Sequence, residues 1–325
     1  MSALPVLLPG FEGTTLPSWL ASRLADGLAG VCLFGQNVAS DEQLRALTGS
    51  VHAARPGALV ASDEEGGSVT RVDLATGSRW PGHGTLGALD DERATYDVAL
   101  GLGQRARDLG VDLVLAPVLD VSSEPDNPVI GVRSFGATTE LVARHGVAFV
   151  RGLQDAGVLA CGKHFPGHGA TRTDSHVALP VLDVDEATWR ARDLPPFAAA
   201  VRAGTRSLMT AHVVVRTLDD RPATLSPVLL GLLRDELGFE GVVVTDALDM
   251  QAISAGVGRA AGAVAALAAG ADLLCIGNPA FPGGYDAEAV LDEIAAAVET
   301  AVADGVLPAE RLAEATTRVA ALVPG

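Results

Sequence analysis

Eight short apolar runs recur along the chain: 4–9 (LPVLLP), 30–34 (GVCLF), 58–62 (ALVAS), 111–119 (VDLVLAPVL), 158–162 (VLACG), 206–211 (RSLMTA), 241–245 (GVVVT) and 271–276 (ADLLCI). Each is rich in Val, Leu or Ala and lacks polar alternation, the pattern of a parallel strand covered on both faces. Amphipathic helical stretches lie between them, among them 41–54, 139–157 and 194–204. In 226–238, SPVLLGLLRDELG, Ser226 is placed to cap a helix, Pro227 to fill its first turn and Gly238 to follow its end. The stretch 308–323 completes the eighth strand–helix unit. Eight such units predict an α/β chain folded as one (β/α)8 TIM-type barrel over residues 1–325, with a doubly wound open sheet as the alternative. No Pro/Gly/Ser linker divides the chain.

Charge and cysteine usage narrow the setting. The formal net charge is −17 and only 19% of residues are charged, which argues against a nucleic-acid surface, because neutralising phosphates needs clustered Lys and Arg. No apolar stretch reaches the length of a membrane helix, and MSALPVLLPGFEGTT has neither the basic start nor the long apolar core of a signal peptide. Cys32, Cys161 and Cys275 each sit in an apolar run and read as buried thiols rather than as a disulfide or a zinc site. A cytoplasmic protein is the expectation.

A barrel places its chemistry at the C-terminal ends of the strands. Asp63 with EEGG follows the third run, Asp120 the fourth, KHFPGHGATRTDSH (163–176) the fifth, His212 the sixth and Asp246 the seventh. Five polar positions gathered at one end exceed what scattered surface polarity gives. Asp246, in VVVTDALDM, is held where a nucleophile has to be rigid, although an Asp after a strand also serves as a helix cap. Asp249 reads as structural.

The 163–176 stretch admits three readings. His164 and His168 are four apart, as in a helical zinc pair, but Pro166, Gly167 and Gly169 forbid a helix between them, so no metal is expected. Lys163 in a Gly-rich loop is a generic anion nest without the phosphate-loop spacing. Asp174 and His176 share one side of an extended segment, so the carboxylate can orient the imidazole for proton transfer.

These segments resemble glycoside hydrolase family 3, in its β-N-acetylhexosaminidase branch from bacterial cell-wall recycling. KHFPGHGATRTDSH is similar to that branch's K-H-F-P-G-H-G-x4-D-S-H loop. DEEGGSVTR (63–71), APVLDV (116–121), NPVIGVRSFG (127–136), SLMTAHV (207–213) and VVVTDALDM (242–250) resemble further family segments in order. The resemblance implies Asp246 as nucleophile of a covalent glycosyl–enzyme and His176 as general acid/base oriented by Asp174. It implies Asp63, Arg71, Arg133, Lys163 and His164 as binders of the terminal sugar, with His212 a further candidate. Thr245-Asp246-Ala247 departs from the S-D-D of many relatives but keeps the first Asp.

The expected activity is therefore a retaining exo-β-N-acetylglucosaminidase, without cofactor, acting on small GlcNAc-terminated glycosides of the muropeptide or chitin type. A histidine acid/base does not repel anions, so phosphate is an alternative acceptor and a phosphorylase the runner-up. A β-glucosidase, a sugar-binding protein without turnover and an aldolase using Lys163 as Schiff-base amine complete the alternatives.

Overall fold

The computed structural model describes residues 1–175, 178–280 and 284–322. Eight parallel strands follow the apolar runs: β1 (Leu7–Pro9), β2 (Gly30–Leu33), β3 (Leu59–Ser62), β4 (Leu113–Val114), β5 (Leu159–Phe165), β6 (Ser207–Thr210), β7 (Val242–Thr245) and β8 (Leu274–Gly277). Neighbours from β2 to β7 pair in chain order. β1 pairs in parallel with β8, Leu7 opposite Leu274 and Leu8 opposite Cys275. A parallel bridge from Val244 to Leu273 joins β7 to β8, and the Ala29 N–H donates to the Leu4 carbonyl at 2.9 Å beside β2. The ring so formed is a (β/α)8 TIM-type fold.

Both faces of these strands are buried, which is why the runs show no polar alternation. Cys32, Ala61, Leu113, Cys161, Met209, Val244 and Cys275 fill the barrel interior. Their neighbours Val31, Val60, Val114, Ala160, Leu208, Val243 and Leu274 pack outward, among the residues that meet the helices. The three cysteines are free and buried, and burial pushes the Cys161 thiol up to about 12.

The helices start where short polar side chains can accept a backbone N–H. Ser40 accepts from Gln43 ahead of Asp41–Ala54, and Ser226 from Leu229 ahead of Pro227–Gly231. The latter helix passes into a π turn, Leu232–Glu236, and Gly238 follows at φ +62°. Two details depart from the apolar pattern. β5 runs on through Lys163, His164 and Phe165, and a short parallel pair, Val181–Leu182 with Val214–Val215, stands outside the ring. Among the described residues, no helix is long and apolar enough to cross a membrane.

Candidate active site

The strands deliver their polar ends to one cavity of about 220 Å³, of the scale of one small ligand. Asp63, Arg71, Arg133, Lys163, His164 and Asp246 all line it, so six of the nine expected site residues meet here. Phe34, Leu115, Met209 and Met250 supply an apolar side.

Lys163 and His164 are consecutive on β5 and would point to opposite faces of a regular strand. The pairing with β6 shifts register between Gly162 and Phe165. Such irregularities re-aim side chains, and here both residues reach the cavity.

The charged wall is a chain of alternating sign. Arg71 donates to Asp63 Oδ2 at 3.0 Å, and Lys163 Nζ sits 2.7 Å from both Asp63 Oδ1 and Glu65 Oε1. Arg133 then grips Glu65 with two donors at 2.9 and 2.7 Å. Burial raises the carboxyl of Asp63, but Lys163 and Arg71 outweigh it and hold the group well below the usual carboxylate range. Glu65 is likewise held low against its burial by Lys163 and Arg133. Lys163, only 2% exposed, is raised despite burial because two carboxylates surround it.

Glu65 was absent from the sequence expectation. Alternation along DEE would have found it: Asp63 and Glu65 take one side, and Glu64 takes the other. Glu64 accepts from the Ser62 and Thr70 hydroxyls and from the Arg71 and Val72 N–H groups, which shapes the loop. Burial pushes its carboxyl up.

Asp120 lies behind His164. Its Oδ2 is 2.7 Å from His164 Nδ1 and its Oδ1 accepts the His168 N–H at 2.7 Å. Burial raises this carboxyl, and His164 and His168 bring it below its ordinary value. A carboxylate only accepts, so Nδ1 carries the proton and Nε2 remains for other partners. His168, buried and lowered by that burial, bonds Thr171 and Ser175 and braces the loop.

Asp246 directly follows β7. Its N–H donates to the Thr210 carbonyl at 3.1 Å, and its Oδ1 accepts the Ala247 N–H at 2.8 Å.

Two more of the expected residues, His212 and Asp174, are described but are not among those that line the cavity. His212 is fully buried and is not among the described residues that line the cavity. Its ring bonds Thr224 Oγ1 at 2.7 Å and the Ala247 carbonyl at 2.9 Å. Its ring thereby supports the backbone beside Asp246. Asp174 is half-buried, and its backbone carbonyl accepts the Ala178 N–H at 3.0 Å. His176 lies outside the described residues.

The barrel and its charged cavity are those of a glycoside hydrolase. The chain belongs to glycosyl hydrolase family 3: residues 16–322 match the model of the family's N-terminal domain. A beta-hexosaminidase from Alkalilimnicola ehrlichii is 39% identical over 281 residues, which is 84% of this chain and 80% of that protein. Beta-hexosaminidase A from Pseudoalteromonas piscicida is 38% identical over 74% of this chain, and the match spans only 44% of that longer relative. A family 3 beta-N-acetylglucosaminidase structure from Paenibacillus sp. superposes with a TM-score of 0.92 at 38% identity, covering 98% of this chain and 61% of that one. NagZ from Neisseria gonorrhoeae, in complex with N-trifluoroacetyl-D-glucosamine, superposes with a TM-score of 0.79 at 31% identity and covers 100% and 99%.

Proposed function

We propose that the chain is a retaining, exo-acting β-N-acetylglucosaminidase that removes terminal GlcNAc from small glycosides. The observation that carries this reading is Asp246 at the end of β7, facing into the same cavity as the Asp63–Lys163–Glu65–Arg133 wall. Charged donors and acceptors held by one another offer fixed directions to sugar hydroxyls and a 2-acetamido group. The family 3 beta-N-acetylglucosaminidase from Paenibacillus sp. and the N-trifluoroacetyl-D-glucosamine complex of the Neisseria gonorrhoeae protein point to the same sugar. Three free thiols support a cytoplasmic setting.

In the first step an Asp246 carboxylate oxygen attacks the anomeric carbon, and the bond to the leaving oxygen breaks. His176, oriented by Asp174, gives that oxygen its proton. In the second step His176 takes a proton from water, the water oxygen bonds to the anomeric carbon, and the bond to Asp246 breaks. Two inversions leave the configuration retained. An imidazole suits both halves because its ordinary pKa is about 6.5.

A panel of aryl β-N-acetylglucosaminides with graded leaving groups tests the scheme. For His176→Ala, turnover is expected to fall on the order of 10²–10⁴-fold for poor leaving groups and far less for good ones. Equal loss across the panel overturns the role given to His176. Repeating the panel with inorganic phosphate is expected to leave rates unchanged and to yield no sugar phosphate.

A further inference from the structure

Asp249 takes no part in the reaction as written, yet it is 7% exposed and stands three residues after Asp246. We propose that Asp249 is a positioning residue: its carboxylate latches the Asp246 segment to the end of β8 through the Asn278 N–H and the Tyr285 hydroxyl. The proposal rests on Asp246 being the nucleophile.

The backbone sets up the latch. On one side the Asp246 N–H is tied to Thr210 at the end of β6. On the other, the N–H groups of Leu248 and Asp249 donate to the carbonyls of Cys275 and Ile276 at 3.0 and 3.1 Å, so the segment follows β8 for two residues. Asp249 Oδ2 then accepts the Asn278 N–H at 2.8 Å and the Tyr285 hydroxyl at 3.3 Å. The segment carrying Asp246 is thereby fixed at both ends without belonging to a strand or helix, and a reacting carboxylate needs that fixity.

Gly277 shows what the latch asks of the sequence. Its φ is +119°, and a Cβ there would stand 2.1 Å from the Asp249 carboxyl. Only glycine both adopts that backbone and leaves the carboxylate its space. The latch also reaches the segment after β2, because Asn278 Oδ1 accepts from Gln36 Nε2 at 2.6 Å.

The groups facing Asp249 are Asp246 on its own segment, Tyr285, Arg259, whose guanidinium lies 4.5 Å over the Tyr285 ring, and the Cys275 thiol. Burial pushes the Asp249 carboxyl up to about 7, against the pull of its two donors. An ionised carboxylate accepts more strongly than a protonated one, so the latch tightens as pH rises through neutrality.

Asp249→Asn, Tyr285→Phe and Asp246→Asn, each as the full chain, form the test, read with an aryl β-N-acetylglucosaminide of good leaving group. For Asp249→Asn, single-turnover release of the phenol is expected to slow about tenfold, with KM within about twofold. The acidic limb near pH 7 is expected to disappear from its rate profile. Tyr285→Phe, which removes one hydroxyl, is expected to slow the same step about threefold and keeps the proposal exposed if Asp249→Asn does not fold. A wild-type single-turnover rate in either folded variant overturns the latch, as does a lower melting temperature with an unchanged rate per folded molecule. Full activity of Asp246→Asn instead overturns the proposed nucleophile, a separate failure.

Discussion

Asp246→Asn is expected to lower kcat/KM by roughly 10⁴-fold or more, with the fold intact. The amide keeps the shape of the carboxyl but has no anionic oxygen to bond to the anomeric carbon. It can still accept the Ala247 N–H that Asp246 Oδ1 accepts at 2.8 Å, so the segment after β7 should hold its course. The side chain is only partly buried. A melting temperature close to wild type should therefore accompany the loss. Steady-state kinetics with an activated aryl glycoside measure it, and a fall of less than tenfold would move the nucleophile to another group. Asp246→Gly with added azide sharpens the result. The small anion attacks from the vacated side, and the product should be the glycosyl azide of inverted configuration.

Lys163→Met should be the most damaging change for the fold itself. Lys163 Nζ is 2.7 Å from both Asp63 and Glu65, and both lysine and glutamate are almost wholly buried. Removing the cation leaves two carboxylates facing each other across a dry space, a break that typically costs about 3–5 kcal/mol. The sign of the pH dependence follows. Asp63 and Glu65 have pKa values depressed below those of the unfolded chain. The stability they contribute is thus present above about pH 4 and is lost as pH falls toward their folded-state values. Without Lys163 that advantage shrinks, so denaturant melts should show a level gap to wild type from neutral pH down to about pH 4 and a narrowing gap below it. A gap that stays constant below about pH 4 would mean that Lys163 acts through packing alone. Substrate affinity should fall as well, since Lys163 lines the cavity.

Much of this is legible in the sequence alone. Strands buried on both faces must read as short apolar runs, and all eight did. Polar residues directly after such runs must lie at one rim of a barrel, and Asp63, Lys163, His164 and Asp246 do meet there. What stayed hidden depends on register and on contacts distant in sequence. Strand alternation would set Lys163 and His164 on opposite faces, so how the two share a cavity, through the shift between Gly162 and Phe165, is not readable from the apolar run. His212 stands at the right rim by position, and its bonds to Thr224 and the Ala247 carbonyl are contacts that no local pattern announces. The partnership of Asp249 with Asn278 and Tyr285 joins residues 29 and 36 positions apart.

The charge chain along the cavity has one more consequence, for how the enzyme is to be assayed. Asp63 and Glu65 are pulled down, while Arg71, Lys163 and Arg133 are pushed up. Across the working pH range none of the five gains or loses a proton. They behave as a fixed electrostatic mould, already polarised when the sugar arrives. An inflection in the rate profile between pH 5 and 9 is therefore a signal from other groups, seen against a silent background.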